Sequence, residues 1–151
     1  MSKNAYTIAL PQNARAITSV CKLSDSYSFD LDKDLPHPAY RECVALWDTG
    51  AVMSVISPKL VQNLGLAPTG YAHMFHANGT SLVNTYFVNL LLPNKLEIQT
   101  LQVMEGNMSD TEMLIGMDVI ALCDFAISHP DGITMFSFDI PSKHATDYTK
   151  E

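Results

Sequence analysis

The chain has 151 residues, 47% of them apolar, and nine Lys and Arg stand against sixteen Asp and Glu for a net charge of −7. That length suits one domain around one buried core and excludes two full domains. The acidic field, with basic residues scattered from Lys3 to Lys150, repels phosphate backbones and anionic membrane surfaces, so neither nucleic acid nor a membrane is expected as a partner.

No stretch approaches the roughly 18 unbroken apolar residues of a membrane span, and the segment from Met1 to Thr7 has no signal-peptide core. Cys21, Cys43 and Cys123 are odd in number and widely spaced. They suggest buried or free thiols in a reducing, cytoplasmic setting rather than a disulfide framework or a zinc knuckle.

Residues 1–39 read as an arm or linker. Four Asp and three Ser crowd Ser24 to Asp34, and Pro36 and Pro38 interrupt any regular element. Apolar patches at Ile8 to Leu10 and Ala16 to Val20 can each supply a short interface or edge strand to the main body, 40–142, which is followed by a tail at 143–151. From Tyr40 onward, short β-like runs alternate with turn signals, which predicts a β-rich or all-β barrel rather than βαβ units.

Cys43 to Trp47 reads as a strand ending at Asp48-Thr49-Gly50, and Val52 to Ile56 resumes a β-branched pattern. Ser57 to Gly65 predicts a short helix, with Ser57 as N-cap, Pro58 at the first position and Gly65 as the stop. Asn78-Gly79 between strand-like segments predicts a hairpin with positive φ at both central residues. Strands over 86–92 and 96–103 follow, joined at Pro93-Asn94. The apolar run Met113-Leu114-Ile115 then ends at Gly116, one or two helical turns span Met117 to Leu122, and Pro130-Asp131-Gly132 closes a last hairpin.

Asp-Thr-Gly alone is a weak signal, since such a triplet usually marks a turn. Its context strengthens it. Asp48 follows the apolar run Val44 to Trp47 directly, so the carboxylate is held at the edge of the core and needs partners, which the Thr49 hydroxyl and the backbone around Gly50 can supply. His73 and His76, three apart on a strand, point to opposite faces with no third ligand nearby, so no metal site is expected. Asp118 and Asp124 flank a predicted helix as caps or solvated groups, with Asp118 near enough to Gly116 to feel the Asp48 loop. Met53, Met74 and Met117 are candidates for adaptable pockets.

Leu46-Trp47-Asp48-Thr49-Gly50-Ala51-Val52-Met53-Ser54-Val55-Ile56 resembles the active-site loop of retropepsin-like aspartic proteases. Leu114-Ile115-Gly116-Met117-Asp118-Val119-Ile120 resembles the second hallmark of that family, with Gly116 lying 68 residues after Asp48 and the Asn-Gly hairpin between them where the family carries its flap. The resemblance covers about Tyr40 to Ser142 and is nearer the cellular, bacterial and retroelement branch than the viral enzymes.

It implies a closed acid-protease-type barrel and a homodimer in which each subunit contributes Asp48 as the catalytic residue, with no metal and no cofactor, acting on an extended polypeptide. Thr49, Gly50 and Gly116 would support the catalytic loop, while Ala51, Met53 and the flap-tip residues Ala77, Asn78, Gly79 and Thr80 would bind substrate. Val52 and Met53 stand where the viral enzymes carry acidic residues. A noncatalytic dimeric peptide-binding module of the same fold, and a protease confined to self-processing of its acidic arm, are the alternative readings.

Overall fold

The computed structural model describes residues 3–150, and among them strands dominate. In chain order these are β1 (Tyr6–Leu10), β2 (Thr18–Asp25), β3 (Arg41–Trp47), β4 (Val55–Ile56), β5 (Gly70–His76), β6 (Gly79–Leu91), β7 (Glu97–Glu105), β8 (Met113–Ile115), β9 (Asp124–Ser128) and β10 (Thr134–Asp139). Two short helices, α1 (Pro58–Leu64) and α2 (Met117–Ile120), and a 3₁₀ turn at Pro130–Gly132 complete the list. No helix among the described residues is long and apolar enough to cross a membrane.

Seven strands form one sheet in the order β2-β3-β8-β4-β7-β6-β5, and a further β2–β6 pairing bends it into a ring-like, barrel-type architecture. The 13-residue β6 makes this possible, because its first half, 79–85, pairs with β5 while its second half pairs with β7 over 85–91 and with β2 over 88–91. A three-stranded sheet, β1-β10-β9, packs beside the ring. The aromatic side chains of Trp47, Phe125, Phe136 and Phe138 join the two sheets, with ring centroids 5.1–5.8 Å apart from Trp47. The Trp47 indole N–H, which burial would otherwise leave costly, donates to Ser19 Oγ at 2.8 Å.

The period-two pattern of β10, buried at Thr134, Phe136 and Phe138 and half-exposed between, is that of a strand with one face on the core. Cys21 and Cys43 face each other across β2 and β3, both buried and unbridged. Burial pushes their thiols up to about 11 and about 12, so both stay protonated and unreactive at neutral pH.

Helix α1 has the ends that its sequence specifies. Ser57 Oγ accepts from Leu60 N–H at 3.2 Å, Pro58 occupies the first turn, and Gly65 takes the left-handed conformation at φ 63°. The hairpin departs from expectation by one residue. His76 pairs with Gly79, so Ala77 and Asn78 are the central residues, neither with positive φ, and only Gly79 takes it, at φ 126°. The run from Val52 is also shorter than expected, since only Val55–Ile56 pairs as a strand.

The acidic segment between β2 and β3 is strapped to the ring. Tyr27 N–H donates to the buried Asn89 Oδ1 at 3.0 Å, and Asn89 Nδ2 returns a bond to Tyr27 O at 2.8 Å. His37 Nε2 meets Glu97 Oε1 at 2.8 Å, and the Tyr40 hydroxyl donates to the same oxygen at 2.7 Å.

Candidate active site

Asp48 follows directly on β3, whose last residue, Trp47, is anchored in the aromatic cluster. Strand β8 threads between β3 and β4, parallel to the first and antiparallel to the second. The loop from Asp48 to Ser54 therefore arches over the end of β8. Asp48 N–H donates to Ile115 O at 2.9 Å, Ala51 N–H donates to Asp48 O at 3.2 Å, and Met117 N–H donates to Ala51 O at 2.7 Å. The half-buried Asp48 carboxylate receives the Gly50 N–H on Oδ1 at 2.8 Å. Its second oxygen accepts no hydrogen bond from the described residues.

Ser54, fully buried, ties the loop to the second motif. Its N–H donates to Asp118 Oδ2 and its hydroxyl to Asp118 Oδ1, both at 2.8 Å. Its Oγ in turn accepts the N–H of Gly116 at 3.1 Å. Gly116 is pressed against the loop so closely that a Cβ there would lie 2.7 Å from Ala51 O and 3.0 Å from the carbonyl carbon of Met53. Among the described residues no buried side-chain nitrogen or oxygen lacks a hydrogen-bond partner, as a buried turn requires.

A cavity of about 530 Å³ opens beside Asp48, bounded by the loop, by strand β5 and by the ends of β7 and β8. Its apolar wall includes Met53, Met74, Met104, Met108 and Leu114. Four unbranched thioether side chains make a lining that adapts to different shapes. Among the described residues, Asp48 and His73 are the ionisable ones that line it. Carboxylate, open apolar walls and an extended strand edge together can hold a peptide and present a carboxylate oxygen to it.

Of the residues singled out from sequence, Asp48, Gly50, Ala51 and Met53 line this cavity. Thr49 is exposed at the loop apex, and Gly116 lies beneath the loop. Ala77, Asn78, Gly79 and Thr80 are exposed at the hairpin tip and do not line the cavity, to which the hairpin contributes Ala72 to Phe75 instead. Met74 lines it as Met53 does, whereas Met117 lies on α2, partly exposed, outside it. Sequence reading missed Ser54, Met104 and Met108. Nothing local marks Ser54, whose role depends on α2 folding back onto it. Among the described residues no group of three or more His, Cys, Asp or Glu side chains is placed to hold a metal ion.

Residues 40–121 match the family described as gag-polyprotein putative aspartyl protease. No curated protein sequence matches the chain. Among solved structures, the fold is similar to a retropepsin-like aspartic protease from Rickettsia conorii, with TM-score 0.55 at 13% identity over 90% of this chain and 93% of that one. It is also similar to the EIAV protease solved with the inhibitor HBY-793, with TM-score 0.50 at 16% identity over 70% and 86% of the two chains. At these identities the structures establish a shared fold, while the sequence match, which covers both the Asp48 loop and the Gly116 motif, carries the kinship. The chain belongs to the gag-polyprotein aspartyl protease family and is an aspartic-type endopeptidase of retropepsin-like fold.

Proposed function

We propose that the chain hydrolyses extended polypeptides as a homodimer, in which two copies of Asp48 face one water. The carrying observation is the Asp48 carboxylate at the edge of the cavity, with one oxygen held by Gly50 N–H and the other without a partner among the described residues. One carboxylate cannot act as acid and base together on the same carbonyl. Two at about 3 Å share a single proton and titrate as a unit, because both cannot ionise at that distance. The ionised member takes a proton from the water as it attacks, and the protonated member gives its proton to the carbonyl oxygen.

Exposure supports a missing second half. Thr49 stands exposed at the loop apex, where its hydroxyl can meet its twin. Val52 and Phe75, 86% and 82% exposed, leave apolar surface beside the cavity for a second copy or a peptide to cover. In this reading Thr49, Gly50 and Gly116 keep the loop rigid, Ala51 and Met53 touch the substrate, and Ala77 to Thr80 close over it as the hairpin folds down.

Replacing Asp48 by Asn tests the proposal. Digestion of a peptide mixture between pH 4 and 7.5 should fall by at least about 100-fold in the variant, in keeping with loss of a general acid–base group. Sedimentation should show a dimer for both proteins. Unchanged cleavage by the variant, or a monomer that still cleaves, would sink the shared-dyad mechanism.

A further inference from the structure

A second cavity, also of about 530 Å³, lies on the far side of Met74 from Asp48. The two share Met74, Gly106 and Asn107 as their common wall. Met74 is wedged there because Gly106 has no side chain: a Cβ at Gly106 would fall 2.7 Å from Met74 Cε and 2.9 Å from Val55 Cγ1. A peptide running along β5 as an added strand places alternate side chains on one face, about 7 Å apart. One side chain in the Asp48 cavity then puts the residue two positions away on the other side of Met74.

The second cavity differs in chemistry from the first. Its apolar part is formed by Pro58, Leu82 and Val83, and its polar part by Glu105, Asn84 and Ser81. Glu105, at the end of β7, receives the hydroxyl of the buried Tyr86 on Oε2 at 2.8 Å, which fixes the side chain, while Oε1 accepts nothing from the described residues. Tyr71, 72% exposed, adds an aromatic face. His76 accepts Asn78 N–H on Nδ1 at 3.3 Å, and its Nε2 lies 2.8 Å from Ser81 Oγ.

We propose that this cavity is a substrate subsite for a basic side chain. The aliphatic stem of a Lys or Arg lies along Pro58, Leu82 and Val83, and its cationic head meets Glu105 Oε1 and the Tyr71 ring. The preferred substrate therefore carries a flexible apolar residue in the Asp48 cavity and a Lys or Arg two residues from it. The inference rests on the reading of the Asp48 cavity as a peptide cleft.

A lysine scan tests it. Peptides of one neutral sequence, with a single Lys or Gln moved through each position, are offered to the full-length protein. At one position, two residues from the side chain held beside Asp48, Lys should raise kcat/KM about fivefold over Gln, the size expected of a partly exposed ion pair. Glu105→Gln should bring that ratio to about one, and Glu105→Lys should invert it in favour of a Glu peptide.

The net charge of −7 attracts a cationic peptide wherever its charge lies, so a preference spread evenly over all positions overturns the subsite. A ratio unchanged in Glu105→Gln also overturns it. If the neutral peptides are cut without discrimination, the protease reading stands and this one falls. If nothing is cut, calorimetry of the same peptides on Asp48→Asn decides, since equal Lys and Gln affinities refute the subsite and a Glu105-dependent difference upholds it.

Discussion

Glycine 116 and Ser54 show how little room the site leaves at the residue scale. Gly116 has no positive φ to explain it; its requirement is space, since Ala51 O and Met53 occupy the volume of a side chain. The obstacles are backbone atoms of the Asp48 loop, which cannot swing aside as a side chain end would. Gly116→Ala should therefore lower stability by about 1–3 kcal/mol in urea unfolding and displace the loop that carries Asp48. Wild-type stability in that variant would show that the loop is soft. Gly116 was legible as a motif member because its neighbours in sequence form an apolar run. Ser54 was not, because its two partners, Gly116 N–H and the Asp118 carboxylate, lie 62 and 64 residues away.

At the scale of elements, local signals reported local structure. The Ser57 cap, Pro58 and Gly65 bound helix α1 because capping involves atoms only two or three residues apart. The Asn-Gly signal located the hairpin, but its register is set by the pairing of β5 with β6, which matches His76 to Gly79 and moves the turn one residue back. That shift leaves one residue bearing the conformational demand, at φ 126°. Gly79→Ala should destabilise the hairpin by about 1–2 kcal/mol, seen as faster amide exchange in Phe75 to Ser81 with the ring strands unchanged. Asn78→Ala, at a position with ordinary φ, should leave that exchange close to wild type.

For the whole molecule, strand β1 and the segment 142–144 are both tied back to the sheets. β1 pairs with β10 along its full length. Beyond β10, Asp124 at the start of β9 receives Ser142 Oγ at 2.6 Å and Lys143 N–H at 3.0 Å, and its Oδ2 takes His144 N–H at 3.1 Å and meets His144 Nδ1 at 2.9 Å. These bonds, the Ser142 hydroxyl first and the Lys143 amide next, hold the carboxyl well below the usual range. A depressed folded pKa contributes stability that is complete above about pH 4 and is lost only as pH falls toward the folded value. Protection of the His144 amide, its exchange measured relative to an unstructured peptide at the same pH, should thus hold from pH 6 down to pH 4 and fall below that. Unprotected exchange at pH 6 would refute the strap, and Asp124→Ala should show unprotected exchange throughout.

Sequence alone determined the β-rich class, the helix over 58–64, the position of the hairpin, and the pair of motifs centred on Asp48 and Gly116, since each depends on apolar periodicity or on backbone chemistry within a few residues. Only the tertiary structure decided that β8 runs between β3 and β4, that Ser54 and Asp118 clamp the two motifs together, and that a methionine-walled cavity and a Glu105 cavity share Met74 as a partition. Those features join residues some 20 to 70 positions apart, whose meeting is fixed by how β6 curves around the ring and by which buried polar groups must find partners. No local pattern encodes that closure; burial of the whole core does.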